Sequence, residues 1–72
     1  MKTVLHLVRP AALAALSDGV PDAVAERDWV VYLQPTRLVR GGAPHTAPFP
    51  PGPLDHDQLV VLLSAADLVV TW

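Results

Sequence analysis

The chain has 72 residues, 51% of them hydrophobic, with no cysteine, a formal net charge of −2 and a pI near 5.8. Without cysteine there are no disulfides, no thiolate metal sites and no thiol nucleophile. The five cations, Lys2, Arg9, Arg27, Arg37 and Arg40, are scattered and form no basic patch of the kind a nucleic-acid-binding domain displays.

The length predicts a single small α/β domain over residues 1–72. A domain of this size hides only about 60% of its unfolded surface, so its apolar content exceeds what its own core covers and points to partner subunits. The opening MKTVLHLVRPAALAAL has the lysine and apolar run of a signal peptide, but His6 and Arg9 interrupt the run and Pro10 follows it. It therefore reads as mature structure. No segment approaches the roughly 20 apolar residues of a membrane span, and a cytoplasmic location with no membrane contact is expected.

Thr3 to Val8, TVLHLV, has the length and composition of a buried strand. Pro10 suits the first turn of a helix running through AALAAL, with Ser17, Asp18 and Gly19 as its stop. Val20 and Pro21 restart a helical turn, which continues through AVAER to Asp28. Trp29 to Leu33, WVVYL, is a second strand; Gln34 and Pro35 end it, Thr36 to Arg40 read as a single helical turn, and Gly41 and Gly42 as punctuation.

A Pro-rich loop at 43–53 holds five of the eight prolines and is expected to cross in an extended, polyproline-like form. Asp55 then caps a helix, with Gln58 completing a capping box, and this helix to Ala66 is apolar on every side, as in a buried or interface helix. After Asp67 the run LVVT, ending at Trp72, reads as the interior strand of a parallel sheet. The order strand, helix, strand, loop, helix, strand predicts a two-layer or three-layer α/β fold on a mainly parallel three-stranded sheet.

In an open parallel sheet ligands bind beyond the carboxyl ends of the strands, which singles out Arg9, then Gln34, Thr36 and Arg37. Arg9 and Arg37 are candidates for holding an anion, and His6 is either a hydrogen-bonded core histidine or a base; solvated arginines and a core histidine are the plainer readings. Arg40, Gly41 and Gly42 lack the strand and helix context of a phosphate cradle. His45, His56 and Asp57 have ligand chemistry, but the eleven-residue spacing across prolines matches no compact metal motif. No serine stands in a nucleophile elbow. No catalytic residue, cofactor or metal is implied.

Leu5-His6 followed by Arg9-Pro10, and the closing DHDQLVVLLSAADLVVTW with its terminal tryptophan, resemble the DsrH/TusB family of DsrE-like proteins. That family opens on a Leu-His pair before a Ser-Pro, and the serine is missing here. DWVVYLQ is similar to the family's second strand, while VYLQPTRLVRGG equally resembles a later strand and its Arg-Gly turn. Members are longer, so the resemblance implies a shortened form. It implies a subunit of a sulfur-relay complex, serving tRNA thiolation or oxidation of reduced sulfur. Relay chemistry carries sulfur on a cysteine thiolate, so a chain without cysteine would be the non-catalytic member beside cysteine-bearing sister subunits.

Three functions are therefore weighed in order. The first is assembly within a sulfur-relay-type complex, with Leu59, Val61, Leu62 and Trp72 as interface candidates; the second is a free-standing interaction or regulatory module forming a homo-oligomer. A small enzyme using His6 or His45 with Arg9 or Arg37 is the third.

Overall fold

A computed structural model describes residues 2–15 and 24–72. Its elements are β1 (Val4–Val8), α1 (Pro10–Ala15), β2 (Trp29–Tyr32), β3 (Arg37–Gly41), β4 (Gly52–Pro53), α2 (His56–Ala65) and β5 (Leu68–Thr71). The strands form one sheet in the order β4-β3-β2-β1-β5.

This corrects the expected three-stranded, mainly parallel sheet: the sheet has five strands and is mixed. β1 pairs in parallel with β2 and β5, whereas β2 with β3 and β3 with β4 are antiparallel. The difference lies in Thr36 to Arg40, read from sequence as a helical turn. Arg37–Gly41 form β3 instead, folding back on β2 so that the buried Leu38 lies opposite Val31.

A bulge hid that strand. Val30 is opposite Arg40 and Val31 opposite Leu38, which leaves Val39 as an extra residue on β3. The bulge shifts the alternation, so that Leu38 joins the core while Arg40, two residues on, goes to the other face. No period-2 pattern survives in RLVRG for a sequence reading to find.

β1 is an interior strand, flanked by β2 and β5. β1 sends Leu5 and Leu7 to one face and Val4, His6 and Val8 to the other, and Leu5, His6 and Val8 are all buried. On the first face Leu5, Trp29, Val31 and Leu38 pack with Leu62 of α2 and with Ala47 and Leu54. α2 starts on the capping box read from sequence: Asp55 accepts from the Gln58 amide at 2.7 Å and the Gln58 side chain accepts from the Asp55 amide at 3.0 Å.

Four other expectations change. The helix α2 is not buried all round: Leu62 is its one fully buried residue, and Val60 and Val61 are 44% and 46% exposed. LVVT is an edge strand, not an interior one, since among the described residues β5 pairs with β1 alone. The loop after Gly41 is not an extended crossing. It turns back at once, with the Thr46 and Ala47 amides donating to the Gly41 carbonyl at 2.8 and 3.2 Å, and delivers Ala47 and Phe49 to the core before the short β4. Residues 24–28 are not helical; the Asp28 amide closes a turn onto the Ala25 carbonyl at 3.0 Å. The stop at Ser17 to Gly19 and the restart at Pro21 lie outside the described residues.

Candidate functional site

The chemistry-bearing side chains converge on the face of β1 opposite α2. His6 sits mid-strand and is 4% exposed. One residue before β2, the turn at Ala25 to Asp28 aims the buried Asp28 at it, with Oδ2 2.8 Å from His6 Nε2. From the far end of β5 the Trp72 indole reaches the other ring nitrogen, Nε1 lying 3.0 Å from His6 Nδ1. The two rings are 6.1 Å apart at 27°.

This geometry assigns the tautomer. An indole N–H only donates, so His6 Nδ1 accepts and the ring proton is on Nε2, donated to the Asp28 carboxylate. The same carboxylate oxygen accepts the Ala25 amide at 3.1 Å. An aspartate holding a histidine is half of a catalytic triad, but a base needs a ring nitrogen within reach of a reacting proton. Both nitrogens of His6 are already engaged and the ring is buried. The group fastens β5, β1 and the turn before β2 together.

Arg9 belongs to the same fastener. Its Nε donates to the Trp72 carbonyl at 2.8 Å and its amide to the same oxygen at 3.1 Å, while the Trp72 amide donates to the Leu7 carbonyl at 2.8 Å. Arg37 stands on β3, with β2 between it and β1. It donates to the Pro35 carbonyl at 3.3 Å and lies 5.0 Å over the Tyr32 ring. Of the three ligand candidates, then, His6 and Arg9 meet around Trp72 and Arg37 does not join them. Arg40 donates to the Ala25 carbonyl at 2.8 Å.

Among the described residues no three His, Asp or Glu side chains converge as a metal site. His45 bonds the Phe49 carbonyl at 2.8 Å, and His56 lies 3.9 Å from Asp57 on the exposed start of α2. A cleft of about 270 Å³ opens at the other end of β1, lined by Lys2, Thr3, Arg27, Pro44 and Thr46. Sequence reasoning missed it because its two cations lie far apart in the chain and away from the carboxyl ends of the parallel strands.

Among the described residues four large aliphatic ones are exposed. Besides Val60 and Val61 on α2, Leu68 and Val69 on β5 are 52% and 38% exposed. Of the interface candidates, Val61 faces outward, Leu59 packs partly against the core, Leu62 lies wholly within it and Trp72 is tied to His6. No helix among the described residues is long and apolar enough to cross a membrane. Comparison with protein families, with curated proteins and with solved structures finds no match for this chain.

Proposed function

We propose that the chain is a protein-interaction module that works by assembly through β5 and the outer face of α2. The observation that carries the reading is the placement of aliphatic side chains. Val60, Val61, Leu68 and Val69 stand in water while Leu5, Val8, Val30, Val31 and Leu62 are wholly buried. In so small a body, unspent apolar surface beside an unpaired strand edge favours association. His6, the buried histidine, has both ring nitrogens engaged within its own chain.

The test is the mass of the assembly in solution. Native mass spectrometry of the complex drawn from its own cell, with every chain identified, is expected to show more than one chain. Val61→Asp with Leu68→Asp is expected to dissolve it, since an unpaired charge buried there costs several kcal/mol. An unchanged mass in the double variant overturns the reading. Under the DsrH/TusB resemblance the absence of cysteine implies a different class of partner, small cysteine-bearing α/β subunits that supply the sulfur-carrying thiol this chain lacks. Their presence among the identified chains separates that assembly from self-association.

A further inference from the structure

We infer that the partner of β5 is β5 of a second copy, the two edges joining antiparallel about a twofold axis at Val70. The inference rests on the interaction reading and gives it a partner and a register.

The backbone sets the geometry. The Leu68 amide donates to the Thr3 carbonyl at 3.2 Å and the Trp72 amide to the Leu7 carbonyl at 2.8 Å, so the even-numbered residues of β5 turn their polar groups to β1. In a strand the groups alternate, and those of Val69 and Thr71 therefore point to the open edge. An antiparallel pair exchanges both bonds between opposed residues. A dyad at Val70 sets Val69 against the partner's Thr71 and Thr71 against the partner's Val69, satisfying every outward group within the strand. Leu68 then lies opposite the partner's Trp72.

Charge agrees with this arrangement. LVVT carries none, so no like charges meet in the strand. Asp67 stands at the start of β5, and Arg9 is clamped to the Trp72 carbonyl at its end. Antiparallel pairing brings the carboxylate end of one copy to the guanidinium end of the other, twice. The opposite edge of the sheet is guarded: β4 is two residues long and contains Pro53, which has no amide to donate. One open edge per chain among the described residues makes a closed dimer and not a fibre.

The absence of cysteine gives a clean test. Opposed residues at a dyad of this kind have Cα atoms about 4.5 Å apart, within disulfide range, whereas the flanking positions oppose each other and not themselves. Under mild oxidation Val70→Cys is expected to form a covalent dimer, and Val69→Cys, Thr71→Cys and Asp57→Cys are not. Val69→Pro removes an outward amide without touching the β1 pairing, and is expected to give a monomer by sedimentation that still unfolds cooperatively. A monomeric wild-type chain, or a Val70→Cys protein that links no faster than Asp57→Cys, overturns the self-pairing. If a different chain then binds the surface and is lost with Leu68→Asp, the interaction reading stands without it; if nothing binds, both fall.

Discussion

Trp72 and His6, 66 positions apart, are joined by a hydrogen bond of 3.0 Å from the indole N–H to the imidazole Nδ1. The bond ties the end of β5 to the middle of β1, and the Asp28 carboxylate completes it by holding Nε2 at 2.8 Å. Because each ring nitrogen has one partner of fixed character, the neutral ring is the Nε2–H tautomer.

Trp72→Phe keeps most of the ring but leaves His6 Nδ1 buried without a donor, and is expected to cost about 1–3 kcal/mol in chemical denaturation. In His6→Gln the amide nitrogen takes the place of Nε2 and keeps the bond to Asp28, so the loss is on the Trp72 side. The double variant is therefore expected to cost less than the sum of the two singles. Additive costs would show that the two residues are not coupled. Nitrogen NMR of the wild-type imidazole should place the proton on Nε2.

Leu62→Ala and Val61→Ala, one position apart, are expected to separate core from surface. Leu62 is fully buried against Leu5, Val31 and Leu38, and its truncation should cost about 2–5 kcal/mol. For a chain of this size that approaches the whole stability, roughly 4–11 kcal/mol. Val61→Ala should leave the unfolding midpoint of the isolated chain nearly unchanged. Equal losses by thermal melting would mean that α2 packs on a different face.

Asp55→Ala removes the acceptor of the Gln58 amide and breaks the reciprocal capping box. The expected loss is about 1 kcal/mol, with Asp55→Asn retaining most of it. Circular dichroism melts of the two variants check the order.

Gly41→Ala tests the close approach of the loop to β3. An added Cβ would run into the His45 ring and lie 2.8 Å from the Ala47 Cβ, so about 1–3 kcal/mol of destabilisation is expected. Removing the ring with His45→Ala should recover part of that and not all, because Ala47 stays in the core.

Features set by near neighbours in the chain were legible. The Asp55 cap needs only Gln58 three residues away, and the strands at Val4–Val8, Trp29–Tyr32 and Leu68–Thr71 announce themselves by β-branched and aromatic runs. β3 was not, since its bulge erases the alternation and its two arginines disguise a strand whose one buried side chain is Leu38. The histidine was placed correctly in a buried strand, but nothing near it in sequence names Asp28 or Trp72 as its partners.

The sequence by itself determined local conformation and chemical inventory: the capped helix, the apolar runs, and a chain without a thiol. Only the tertiary structure decided which apolar residues were left over. LVVT has the same composition as an interior strand, and VVLL within α2 offers no polar stripe to mark its outer side. Whether such residues are core or surface depends on how many elements cover them, a count set by the sheet order β4-β3-β2-β1-β5, which leaves β5 with one neighbour. Apolar burial has no direction of its own, so its pattern becomes definite only when strand pairing, fixed by directional backbone hydrogen bonds, assigns each face and edge.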